Sequence, residues 1–259
     1  MSLRKKNEKE SLDCNSDLLV YRAIKNETFE SENITRDRFF VSLSRVQDSP
    51  SYEPSQILMA PYGFYSGRPI IGQCTPIRGG IYLSAAPREA IVIDERYGVL
   101  EEIFQSLYTY YQGFPDAKKA IRENVLTDIF VLVQERIRFD PDRLYQYLRR
   151  KEIKVDQKIA LDIIIELGFG AARHQVLLAA YLLERFKNLG MLRGTFRINS
   201  ESTHPSLEDE QLLYTSSSGY TSLLDPLSNS KINKQEMASK PLAPTANIRA
   251  SGLDDIVLH

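Results

Sequence analysis

The sequence predicts an α+β fold, and three changes of pattern along the chain predict it. Residues 49–94 are cut by Pro50, Pro54, Pro61, Pro69, Pro76 and Pro87, and by glycines at 63, 67, 72, 79 and 80, into apolar runs of strand length. From Val99 to Asn188 the apolar residues recur at helical spacing, and after Gly194 the period shortens to that of strands. The organisation expected from these changes is a polar tail over 1–17, a β-rich extension over 18–98, a helical domain closed by strands over 99–227, and a flexible polar tail over 228–259.

Composition narrows the classes of function. With 259 residues, 42% of them hydrophobic, the chain can bury a sizeable core. Thirty-three basic against thirty-four acidic residues give a net charge of -1, so nothing in the overall charge argues for nucleic acid or an anionic membrane as partner. Cys14 and Cys74 are the only cysteines, which argues against a disulfide framework and suits a reducing compartment. Arg4-Lys5-Lys6 is not followed by an apolar stretch, and the longest apolar run, Val176 to Leu183, is too short to span a bilayer. The expected location is cytoplasmic, or outside the cell by a route that uses no cleavable signal.

The elements can be justified in chain order. Residues Asp17 to Val46 carry a modest apolar pattern that reads as helix and short strand. Between the breakers of 49–94, strands are expected at Gln56–Met59, Pro69–Ile71, Gly80–Leu83 and Ala90–Ile93. Gly79-Gly80 and Gly72-Gln73-Cys74 invite comparison with phosphate-binding or nucleophile loops. Both mechanisms need a helix directly afterwards and no helical pattern follows, so turn formation explains these glycines better.

Leu100, Ile103, Phe104, Leu107, Tyr108 and Tyr111 share one helical face, which Gly113-Phe114-Pro115 ends. Asp116 is placed to cap a second helix running to about Arg138, and Asp140-Pro141 opens a third with an N-cap acceptor and a proline where no N–H is needed. Asp156 is expected to cap a fourth, carrying Ile159, Ala160, Ile163, Ile164 and Leu167 and closed by Gly168. After the turn Gly168-Phe169-Gly170, a strongly apolar helix begins at about Ala172 and runs to Asn188. Strands are expected at Thr195–Ile198, Glu210–Thr215 and Tyr220–Asp225, the last two around the turn Ser216-Ser217-Ser218-Gly219.

The start of the Ala172 helix carries the strongest functional signal. In Gly170-Ala171-Ala172-Arg173-His174-Gln175 and the following Leu178-Ala179-Ala180-Tyr181-Leu182-Leu183-Glu184, the sequence resembles the bacterial transglutaminase-like domains of the papain-like cysteine-enzyme class. Those domains read Gly-Val-Cys-Arg-His-Gln and then Leu-Leu-Ala-Ala-Tyr-Leu-Leu-Glu. The likeness covers about Ala117 to Leu227 and is strongest from Lys158 to Gly194. It implies a papain-like, transglutaminase-like core, in which a helix with the nucleophile at its N-terminus packs on a small antiparallel sheet whose strands present a histidine and an aspartate. Such a helix start favours a thiolate, the imidazole carries the proton, and the carboxylate fixes the imidazole tautomer.

Mapped on this sequence, the resemblance places Ala172 at the nucleophile position. Leu223-Leu224-Asp225 matches the Ile-Leu-Asp that ends the family's hairpin, so Asp225 takes the carboxylate position. Counting back five residues from Tyr214 places Asp209 at the base position, where the family has histidine. Of the three histidines, His259 is terminal, and His204 lies in the loop before Asp209, where a different register would make it an alternative base. His174 is two residues beyond Ala172, about 200° round the helix axis, and reads as structural. Cys74, with nothing to place it at a helix start, is a weaker nucleophile candidate still. No cofactor and no metal are implied.

Three functions are compatible with this pattern. One is a catalytically inactive transglutaminase-like protein that acts by binding a protein partner. Another is an active acyl-transfer enzyme acting at glutamine, whose cysteine at 172 has been replaced by alanine. The third is an interaction protein working through residues 49–94 or the C-terminal tail. The absence of both nucleophile and base at their positions favours the first, and the oligomeric state is left open.

Overall fold

The computed structural model describes residues 24–25, 41–57, 60–72, 76–84, 86–200, 210–215 and 220–224. They form a mixed α+β structure. After the short strand β1 (Ile24–Lys25), residues 41–47 form helix α1. A three-stranded meander follows, β2 (Tyr52–Glu53), β3 (Phe64–Tyr65) and β4 (Arg68–Pro69). Ser66 and Gly67 join β3 to β4 with φ of 52° and 73°, the left-handed pair that a two-residue hairpin turn requires.

Strands β5 (Ile81–Leu83) and β6 (Ala90–Val92) appear where their apolar runs predict them. They belong to a sheet whose third strand, β8 (Lys158–Ala160), lies parallel to β6, with Ile91 opposite Ile159. This corrects the fourth helix of the sequence reading. Asp156 does not cap it: its φ is 56°, and its carboxylate accepts from Arg45 Nε at 2.8 Å and Nη2 at 2.7 Å. The helix begins at Leu161, because Lys158–Ala160 is drawn into extended conformation by the open edge of β6. Nor is there a strand over the described part of Gln56–Met59.

The helical stretch follows its sequence signals closely. Helix α2 (Val99–Gln112) ends at Gly113, and α3 (Ala117–Arg136) is capped by Asp116, which accepts from Lys119 N–H at 2.9 Å. Asp140 caps α4 (Pro141–Arg150) in the same way, accepting from Arg143 N–H at 3.0 Å. Helix α5 (Leu161–Leu167) closes on Gly168, whose φ of 70° is the left-handed C-cap conformation. Two short parallel strands, β7 (Arg138–Phe139) and β9 (Phe169–Gly170), pair where the sequence suggested a helix end and a plain turn.

Helix α6 (Ala172–Asn188) is the centre of the structure. Every residue from Ala172 to Leu183 is buried, the pattern of a helix enclosed on all sides rather than lying on a surface. It packs against α3 and against strands β10 (Thr195–Ser200) and β11 (Glu210–Thr215). With β12 (Tyr220–Leu224) and β1 these make an antiparallel sheet of order β1-β12-β11-β10, in which Phe196 lies opposite Tyr214 and Leu213 opposite Leu223. A second, smaller core gathers Leu43 and Val46 of α1 with Tyr65, Ile70, Ile81, Leu83, Ala90 and Val92.

Candidate functional site

Ala172 is the first residue of α6, with Ala171 as N-cap. The apolar sequence after the Gly168-Phe169-Gly170 stretch starts a helix there because β9 ends in contact with the helix start. A Cβ added to Gly170 would stand 2.8 Å from Ile137 Cγ2, 3.0 Å from Ile164 Cγ2 and 3.3 Å from His174 Nδ1. Only glycine lets the backbone come that close. Ala172 itself is 1% exposed and Ala171 0%, so the position that the sequence resemblance would assign to a nucleophile carries a methyl group sealed inside the protein.

The three polar residues after it are each committed to a different neighbour. Arg173 donates from Nε and Nη2 to Glu89 Oε1, at 3.0 and 2.6 Å, with both side chains buried. His174 Nδ1 accepts from the Ala171 N–H at 3.1 Å, so the third residue of the helix reaches back to the backbone of the N-cap. A neutral imidazole accepting at Nδ1 carries its proton on Nε2, and Nε2 faces Glu89 Oε1 at 3.3 Å. Gln175 donates from Nε2 to the Ile137 carbonyl at 2.8 Å, at the end of α3.

Arg173, His174 and Gln175 thus fasten the helix start to the strand region of Glu89, to its own N-cap and to α3. His174 is buried and serves this structural purpose. Burial alone would push the Glu89 carboxyl up, but His174 and Arg173 outweigh it and hold the group at about 2, against an ordinary 4.5. Glu89 remains charged and Arg173 neutralises it. Among the described residues, this helix start offers neither a nucleophile nor an accessible base.

A second buried carboxylate lies nearby in sequence. Asp162, on α5, is buried, and burial raises its pKa. The first N–H groups of α2, at Val99 and Leu100, act in the opposite direction on it. Helix α2 has Gly98 as its N-cap, which has no side chain to cap it, and Asp162 of another element lies at that helix start.

Asp209, Asp225 and His204 lie outside the described residues, as does Cys74. In sequence Asp209 directly precedes β11 and Asp225 directly follows β12. No group of three His, Cys, Asp or Glu among the described residues is arranged to hold a metal ion, and no helix among them is long and apolar enough to cross a membrane.

Glu89 was invisible in the sequence as a partner of this helix, since 84 residues separate it from Arg173 and the Pro87-Arg88 context before it reads as loop. Arg173 stood in the motif that carries the resemblance, but its role there is structural. Comparison with family models, with curated proteins and with solved structures found no match.

Proposed function

We propose that this chain is a binding protein and not a catalyst: a transglutaminase-like scaffold, inactive at the cysteine position, that acts by holding a protein partner. The observation that carries this reading is Ala172, which occupies the helix start with a methyl group at 1% exposure. A triad that loses its nucleophile forfeits about six orders of magnitude in rate, and losing the base as well costs little more. The Arg-His-Gln sequence needs no catalytic explanation, because all three side chains fasten the helix.

A protein partner is supported by the surface at the end of α2. Tyr110 is 57% and Phe114 39% exposed, and their rings stand edge to face with centroids 5.3 Å apart. Adjacent exposed aromatics are the residues around which protein interfaces concentrate their energy. Crosslinking followed by affinity capture, with the wild type and with Tyr110→Ser/Phe114→Ser, tests the reading. A partner retained by the wild type and lost by the variant supports it. Turnover of a glutamine-containing peptide by the purified chain would refute it.

A further inference from the structure

Positive charge is concentrated at one place in a chain whose net charge is -1. Arg149, Arg150, Lys151 and Lys154 follow one another at the end of α4 and in the turn that leaves it, and all four are exposed, with Glu152 the acid between them. The two arginines have a local explanation, since cations in a last helical turn complement the helix dipole. Lys151 and Lys154 lie beyond the helix, and next to Lys154 stands an aliphatic side chain, Val155, that is 51% exposed. The dipole accounts for neither the lysines nor the valine.

The turn that presents these side chains is held in a costly shape. The chain leaves α4 through Glu152, whose φ of 53° is left-handed, with the Ile153 N–H donating to the Leu148 carbonyl at 3.0 Å. It then folds over Lys154 to Gln157: the Gln157 N–H donates to the Lys154 carbonyl at 3.1 Å, and the Gln157 side chain accepts the Lys154 N–H at 2.9 Å. Asp156, inside this turn, is left-handed as well, at φ 56°. Neighbouring elements keep it there. Its N–H donates to the Arg88 carbonyl at 2.8 Å, its carbonyl accepts from the Tyr65 hydroxyl at 3.2 Å, and its carboxylate, 12% exposed, accepts two hydrogen bonds from Arg45. Two strained residues thus flank Ile153-Lys154-Val155, and strain of this kind collects at sites that bind.

We propose that this segment docks the protein on the anionic phospholipid surface of a bilayer, with Val155 entering the boundary between headgroups and acyl chains and the surrounding cations meeting lipid phosphates and carboxylates. The valine decides the kind of partner. The same cations would attract nucleic acid, but an aliphatic group held outward at the apex of a turn gains nothing from a phosphate backbone, whereas it is removed from water in a bilayer interface. Tyr145, 62% exposed, stands four residues before Arg149 on the same side of α4, and a tyrosine ring suits the headgroup level.

The test is co-sedimentation of the full chain with phosphatidylcholine vesicles with and without phosphatidylserine, at low ionic strength, where surface charges are least screened. Only the vesicles with phosphatidylserine should capture the wild type. Lys151 and Lys154 are exposed, so Lys151→Gln/Lys154→Gln should keep the melting temperature within a few degrees. Each basic residue near an anionic surface contributes about fivefold in affinity, so this variant should bind at least about tenfold more weakly, and Lys151→Arg/Lys154→Arg should bind as the wild type does. The chain has no tryptophan, so Val155→Trp introduces a single indole at the apex, whose emission should move to the blue on capture. Failure of the phosphatidylserine vesicles to capture the wild type, equal capture by phosphatidylcholine alone, equal capture of the glutamine variant, or unchanged emission from captured Val155→Trp would overturn the proposal. Retention of an oligonucleotide that the glutamine variant loses, with no capture by vesicles, would assign the cations to nucleic acid and overturn it too. None of these readouts depends on the protein partner proposed above.

Discussion

Arg173 and Glu89, 84 residues apart, meet inside the protein through two hydrogen bonds to one carboxylate oxygen. Removing one member of a buried pair leaves the other charged without compensation, which costs about 3–5 kcal/mol. Glu89→Gln is therefore expected to lose that much in urea unfolding at neutral pH. The pH dependence has a definite sign. The folded carboxyl is held at about 2 against 4.5 in the ordinary group, so its contribution is complete above pH 4.5 and is lost as pH falls toward 2. The variant should show a flatter acid limb over that window, and a limb parallel to the wild type would mean that Glu89 does not supply the stability.

Asp162 should behave in the opposite direction. Its pKa is raised by burial, so the charged form is the costly one, and its contribution is most favourable below the unfolded pKa and declines as pH rises through the folded value. Asp162→Asn keeps the shape and removes the charge. Its expected effect near neutrality is a gain of up to about 1 kcal/mol, measured by chemical unfolding. A loss of several kcal/mol would show instead that the N–H groups of Val99 and Leu100 need the full negative charge.

The two glycines that flank Phe169 should fail for different reasons. Gly168 sits at φ 70° in open space, so alanine there costs about 1 kcal/mol of backbone strain, and asparagine should cost less. Gly170→Ala instead drives a methyl into Ile137 and Ile164 and should cost about 1–3 kcal/mol. Thermal unfolding of the three variants separates these cases.

A cysteine at position 172 would feel two opposed influences. The helix start favours a thiolate, whereas burial at 1% exposure disfavours the charge and keeps reagents out. Ala172→Cys, in a background lacking Cys14 and Cys74, should alkylate more slowly than a free thiol in the native state and at the ordinary rate in denaturant. It should show no transamidation, deamidation or peptide hydrolysis. Fast native labelling would reveal an opening that exposes the helix start.

The parts of the fold that were legible in sequence are those whose signals are local. Asp116 and Asp140 cap helices because their acceptors lie within reach of N–H groups three residues on, and Gly168 ends one because its left-handed φ costs glycine nothing. Lys158–Ala160 was misread because Ile159 and Ala160 continue the apolar run of the following helix. Their extended form is imposed by a strand 68 residues earlier, with which no local pattern can communicate. The helix start was legible in position. Its fastening by Glu89, and the hold of Arg45 on Asp156, depend on contacts between distant segments.

The parallel pairing of Ala90–Val92 with Lys158–Ala160 also sets an order of assembly. During synthesis the 90–92 strand leaves the ribosome long before its neighbour exists, and in the interval one of its backbone edges faces solvent. The helices at 99–112 and 117–136 form from near-neighbour contacts and can be complete by then, whereas the strand must wait for residues that close a long loop. Until Ile159 arrives, Ile91 belongs to an open, apolar strand edge of the kind that pairs with other chains. Slow vectorial folding and sensitivity to truncation before residue 158 follow from that one strand contact.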